Sequence, residues 1–197
     1  MESTTTTEHI RIETDRLILR KFEESDMEAI YSLLSDEEVN TFLPWYPVKD
    51  MAEAKSFFEE RLRDQKYGFA ICLKSDDRPI GHVHVEAEDD SHDLGYALDK
   101  AYWHQGLVSE ACLAVIDLVK AAGMPYITAT HDKNNPRSGA VMKRIGMSYR
   151  YSYKELWQPK NFPVIFRMYQ LNLDGEQDRV YRKYWDLYDE HFVETAF

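Results

Sequence analysis

The chain has 197 residues, and its 35 acidic side chains outnumber 24 basic ones to leave a net charge of −11. Non-specific nucleic-acid binding needs a basic surface that displaces counterions from phosphate, so this balance excludes it and suits cationic partners instead. With 44% hydrophobic and 30% charged residues the composition is that of one soluble globular domain, and no apolar run approaches the ~18 residues of a membrane span.

The first residues, with threonines at 4 to 7, are low in complexity, and residues 1–8 read as a disordered end. They lack the charged and apolar regions of a signal peptide. Only Cys72 and Cys112 are present, both inside apolar segments, so the thiols read as reduced and the protein as cytoplasmic. Order is expected from His9. Residues 16–20 form a first strand, and Ser25-Asp26 caps a helix carrying Ile30, Leu33 and Leu34. After a loop at 42–47, Asp50 caps a second helix whose Ala54, Phe57, Phe58 and Leu62 make a buried stripe.

Residues 67–73, 79–86 and 93–98 read as three successive strands with short links, which implies antiparallel pairing. Cys112, Val115, Ile116 and Val119 then recur at helical spacing up to Gly123, a left-handed cap. A strand at 126–130, a helix opened by Asn135-Pro136 and closed by Gly146, and strands at 148–157 and 164–173 follow. Residues 175–197 read as one amphipathic helix, with Val180, Tyr184, Leu187, Tyr188 and His191 on one face packing onto the sheet or onto a second copy in a homodimer. The fold class is therefore α/β (α+β in detail): a mixed, mostly antiparallel central sheet of about seven strands flanked by helices, with an extra C-terminal helix.

The strand at 93–98, the loop Trp103-His104-Gln105-Gly106 and the helix beyond it make an anion site, because the first N–H groups of a helix are unpaired and its dipole end is positive. The loop has neither the Gly-Lys-Ser/Thr of a nucleotide-binding P-loop nor the three glycines of a dinucleotide fold. His82, His84 and His92 share strand positions, but nothing nearby completes a ligand set and no metal is expected. The aromatic residues of the tail read as packing, and Trp45 equally as packing or as pocket wall.

Thr14-Asp15-Arg16-Leu17-Ile18-Leu19-Arg20, Gly95-Tyr96-Ala97-Leu98 with Tyr102 to Gly106 and Ser109-Glu110-Ala111, and Asn135-x-x-Ser138 followed by Val141, Lys143 and Gly146-Met147 resemble the GNAT acetyltransferase superfamily. The likeness spans residues 9–174 as one domain, and its nearest branch is the ribosomal-protein N-terminal alanine acetyltransferases. The resemblance implies acetyl-CoA as co-substrate and a primary amine, small and cationic or a protein N-terminus, as acceptor in a ternary complex. His104, Gln105, Gly106, Leu107, Val108 and Ser109 would hold the pyrophosphate, Leu98 would pair with the pantetheine arm, and Asn135 and Ser138 would line it. It makes Ser138 the proton donor to the leaving thiolate and Glu155 the base, with Glu86 and His84 as alternatives. His104 and Val108 depart from the pattern by being bulkier, and Met142 stands where many relatives have a catalytic Tyr. These departures motivate the alternative of a non-catalytic acyl-CoA-binding or regulatory module.

Overall fold

The computed structural model describes residues 10–196, so the expectations for residues 1–8 and His9 lie outside it. The first sheet is antiparallel throughout and runs in sequence order: β1 (Ile12–Glu13), β2 (Leu17–Arg20), β3 (Tyr67–Leu73), β4 (Pro79–Val85) and β5 (Leu94–Leu98). The second has the order β6 (Tyr126–Asp132), β8 (Phe162–Asn172), β7 (Ser148–Trp157), β9 (His191–Phe192). The sheets hold five and four strands rather than about seven in one. The two additional strands, β1 and β9, are two residues long and leave no alternation to read.

Alternation along β3 sends Tyr67, Phe69 and Ile71 to one face and Ala70 and Cys72 to the other. On the first face lies α4 (Leu107–Ala121), which buries Ala111, Cys112, Val115 and Val119. On the second lie α1 (Met27–Ser35) and α3 (Met51–Phe57), through Ile30, Leu34 and Ala54, with Phe58 just beyond α3. Between these helices the short α2 (Glu37–Asn40) is capped by the Asp36 carboxylate. Both cysteines are buried free thiols, and burial pushes Cys72 up to about 12. Among the described residues no helix is long and apolar enough to cross a membrane.

The strand β5 meets β6 at a single parallel bridge, Asp93 to Thr128, reinforced by the Thr128 N–H and hydroxyl donating to the carbonyls of His92 and Ser91. Beyond that point the two sheets part. In the gap stands α5 (Pro136–Arg144), packed on β6 and opened by Asn135, whose side chain accepts the Ser138 N–H.

The tail departs from the single helix expected for 175–197. It forms one short helix, α6 (Lys183–Leu187), and then β9, with Val180 and Leu187 exposed. Tertiary contacts override the helical spacing: Gln170 accepts the Tyr181 N–H, Tyr151 donates to the Tyr181 carbonyl, and Tyr184 and Tyr188 stack on Tyr153. The aromatic face thus packs on the second sheet of its own chain.

Gly139 sets how closely α5 approaches β6, since a Cβ there would lie 2.6 Å from the His131 ring, which is itself fixed by a 2.8 Å contact with the Asp132 carbonyl. Gly139→Ala is expected to cost about 1–3 kcal/mol in denaturant unfolding by overpacking; an unchanged midpoint would mean that the ring moves aside freely.

Candidate active site

A cavity of about 1420 Å³ runs through the gap between the sheets and under α3. This exceeds the roughly 300–1,000 Å³ of clefts for one small ligand.

One end is built from β5, α4 and α5. The hydrogen bond from Glu86 N–H to the Asp93 carbonyl fixes the phase of the β4–β5 ladder. By alternation Tyr96 and Leu98 then turn their backbone groups away from β4, into the gap. The Leu98 carbonyl accepts the Trp103 indole N–H at 2.7 Å, which ties the following loop to the strand end. The loop then turns through His104 (φ 62°) and Gly106 (φ 77°), a left-handed pair that aims the start of α4 at the cavity. No side chain caps α4, so its first N–H groups face outward unpaired.

Glu110 in that first turn would repel an anion, but it is already engaged. It accepts from the Thr14 hydroxyl at 2.5 Å, the Arg16 N–H at 2.9 Å and Arg16 Nε at 2.7 Å. Burial opposes these bonds, yet together they hold its carboxyl below the usual range. The guanidinium groups of Arg16 and Arg144 each stand 3.7 Å from the Cβ position of Gly106, and Arg137 lies over the Trp103 ring at 5.0 Å. Arg137 and Arg144 line this end of the cavity. Unpaired helix N–H groups beside guanidiniums are the chemistry that suits an anion. The His104 side chain is exposed and Val108 half-buried, so neither fills it.

Leu98, His104, Gly106, Leu107, Val108, Ser109, Asn135, Ser138 and Glu155 all line the cavity, as do His84 and Glu86. Gln105 does not line it; its carbonyl is taken by Arg16 at 2.9 Å and its side chain turns back to Ala101. At the centre the Ser138 hydroxyl lies 2.9 Å from the Tyr96 hydroxyl, which also donates to the Ser138 carbonyl at 3.1 Å. Burial pushes the Tyr96 phenol far up, so it stays a neutral donor. Met142 is buried and lines the same cavity.

The other end is acidic. On the far face of the first sheet, β4 carries His82, His84 and Glu86 opposite Ala97, Gly95 and Asp93. The small residues leave room for the imidazoles, and a Cβ on Gly95 would lie 2.3 Å from the His84 ring. Burial pushes His82 down to about 3 and His84 to about 4, so both rings are neutral. Trp45 and Phe57 cover them, with the Trp45 indole donating to Asn40 at 2.8 Å; Trp45 is both packed and cavity wall. The opposite wall is Tyr153, Glu155, Trp157 and Phe166 of the second sheet with Tyr184 and Tyr188 of the tail. Across the top, Lys160 donates to the Asn40 and Thr41 carbonyls at 2.8 Å each, and Tyr46 to the Pro159 carbonyl at 3.3 Å.

Asp93 and Tyr96 are functional candidates that the sequence reading missed. Asp93 lines the cavity, its Oδ1 is buried without a hydrogen-bond partner, and burial, reinforced by Glu86 and Asp89, raises its pKa to about 7. The available signal was an acid two residues ahead of Gly95 and four ahead of Ala97 on one strand face. Burial also raises Glu155, against a hydrogen bond from Tyr188. Among the described residues no group of three or more His, Cys, Asp or Glu is placed to hold a metal ion.

Because its folded pKa is raised from 3.8 to about 7, Asp93 binds more proton in the folded than in the unfolded chain over that window. Its contribution to stability therefore falls as pH rises from about 4 to 7, while the depressed His82 and His84 push the other way. The difference between Asp93→Asn and the parent protein isolates the term: the variant should gain relative stability as pH rises across this window, measured by urea unfolding. A pH-independent difference would mean that Asp93 titrates normally.

A profile of the acetyltransferase (GNAT) domain family matches residues 16–148. The uncharacterised N-acetyltransferase YnaD of Bacillus subtilis is 30% identical over 149 residues, covering 74% of this chain and 87% of the relative. Among solved structures, a GNAT-family acetyltransferase from Bacillus anthracis superposes with a TM-score of 0.75 at 25% identity, covering 84% of this chain and 99% of that one. The ribosomal L7/L12 α-N-protein acetyltransferase RimL, solved with coenzyme A, superposes with a TM-score of 0.69 at 19% identity, covering 85% of this chain and all of that one.

Proposed function

The chain belongs to the GNAT acetyltransferase family, and from that premise we propose that it moves the acetyl group of acetyl-CoA directly onto a primary amine while both substrates occupy the one cavity. The observation that carries this reading is the charge division of that cavity, with unpaired helix N–H groups and guanidiniums at one end and unpaired carboxylates under aromatic walls at the other. RimL, which acts on a protein N-terminus, supports a chain end as one form of acceptor. The same site would accept a small cationic amine.

At the donor end the residues Gly106 to Ser109 and Arg144 fit a pyrophosphate, and the turned-out backbone of Tyr96 and Leu98 fits an extended amide-bearing arm, as an added strand would. His104 and Asn135 border that path. The reaction breaks a thioester C–S bond and forms an amide C–N bond, so the chain must receive one proton from nitrogen and supply one to sulfur. Ser138 supplies it, with its hydroxyl backed by the neutral Tyr96 phenol. A thiol of pKa near ~8.5 is a modest demand, and one hydroxyl suffices.

Asp93 receives the proton. A base works best when its pKa is near the operating pH, and among the carboxylates of the acceptor end Asp93 is the one raised to about 7. Glu155, the base expected from the family resemblance, faces the same end and is the alternative. The two are separated by the pH dependence of kcat/KM, which Asp93→Asn should flatten on its acid side while lowering the rate by about 10²–10⁴-fold. Retention of the parent profile would assign the step to Glu155.

Ser138→Ala is expected to lower kcat about tenfold or more with acetyl-CoA affinity unchanged, since its hydroxyl acts on charge that develops at sulfur. Affinity and fold are checked together by thermal unfolding. A ligand at 100 times its dissociation constant stabilises by ~2.7 kcal/mol, and both proteins should show that shift. An unchanged kcat would reject the acid role.

A further inference from the structure

The tail lies outside the family match and is fastened at both ends. Near its start, Gln170 accepts the Tyr181 N–H at 2.8 Å and Tyr151 donates to the Tyr181 carbonyl at 2.7 Å. Near its end, β9 pairs with β7 and Glu194 accepts from Arg167 Nε at 2.9 Å and Nη2 at 2.5 Å. Between these points Tyr184 and Tyr188 stack on Tyr153 with centroids 5.0 and 4.9 Å away, and all three line the acceptor end of the cavity.

Tyr188 and Glu155 line the same end of the cavity, and hydrogen bonding by the phenol lowers the Glu155 carboxyl against the effect of burial. No cation of the described chain answers that carboxylate: Lys154 pairs with Glu190, Lys160 is held by two carbonyls, and Arg61 lies over the Phe57 ring. Across the cavity Asp93 is likewise without an ion pair and has an orphaned buried oxygen. His82, 3% exposed, lines the same end with neither ring nitrogen bonded, so the site holds buried polar groups that only a bound molecule or water can satisfy. The acceptor end thus offers Asp93, with Glu86 opposite it, on the first-sheet side and Glu155 on the second sheet, and one reacting nitrogen answers only one of these two sides.

We infer, on the basis of the amine-acetyltransferase reading, that the tail is an acceptor-selecting wall and that the acceptor is a small amine bearing a second cationic group. Glu155 and Tyr188 hold that second charge against the tyrosine stack while the other nitrogen reaches Asp93. The second charge takes no part in the bond changes and acts through binding and orientation.

The test compares 1,4-diaminobutane with n-pentylamine, which match in length and differ in one charge, alongside a short peptide with a free N-terminal alanine, following thiol release from acetyl-CoA by the full chain. The diamine should exceed the monoamine in kcat/KM by about tenfold or more, the worth of one desolvated charge contact of ~1.4 kcal/mol. Tyr188→Phe and Glu155→Gln should each bring that ratio towards one, with the acetyl-CoA thermal shift retained as evidence of folding. Equal rates for the two probes in the parent protein, or a Glu155→Gln variant that slows both probes equally, would overturn the inference. Turnover of the peptide without preference for the diamine would overturn it and leave the acetyltransferase reading standing. Thiol release with none of the three would overturn both.

Discussion

Strands β5 and β6 are neighbours that run parallel and share one bridge, at Asp93 and Thr128. A parallel pair normally continues its ladder, and a buried strand edge without partners is costly. Here the edge beyond Asp93 is kept open. The Leu98 carbonyl is satisfied by an indole instead of a strand, and α5 is wedged behind the opening by the Gly139–His131 contact. The open edge, the cavity and the convergence of the α4 and α5 N-termini on it all follow from that separation. The bridge residue Asp93 sits where the sheets begin to part and lines the cavity.

The second organising feature is where the charge goes. A chain with net charge −11 still presents guanidiniums at the α4 N-terminus, because Arg16 neutralises Glu110 there while Arg144 and Arg137 remain directed at the cavity. At the far end the histidines are discharged by burial, and Asp93 keeps a buried oxygen without a hydrogen-bond partner. One cavity thus has opposite charge character at its two ends, and under the proposed function that division would orient an anionic donor and a cationic acceptor relative to each other before chemistry begins.

Much of this was legible in the sequence for physical reasons. Long strands and helices carry periodicity, so β3, β4, β7, α4 and the caps Asp50, Asn135, Gly123 and Gly146 were found near their places. The start of α4 falls at Leu107, where the loop gives way to a helix in the sequence. The donor loop was legible because a strand, a glycine and a helix start are local features. The acceptor end was not, because it joins β4, β5, β7 and the tail, which are distant in sequence and meet only after folding. For Asp93 strand alternation gave the face but not the chemistry, which arises from burial beside Glu86 and Asp89. The tail showed helical spacing, but aromatic stacking on β7 and hydrogen bonds to Gln170 decided its shape.

The claim on which the rest stands is that the parted edge of β5 and the start of α4 form the donor site. Amide hydrogen exchange with and without coenzyme A tests it directly, because it reads individual backbone N–H groups and needs no acceptor. The account predicts added protection concentrated at Tyr96, Leu98 and residues 106–109, with the outer strands β1 to β3 unchanged. Protection elsewhere on the surface, with these amides unaffected at saturating coenzyme A, would contradict it.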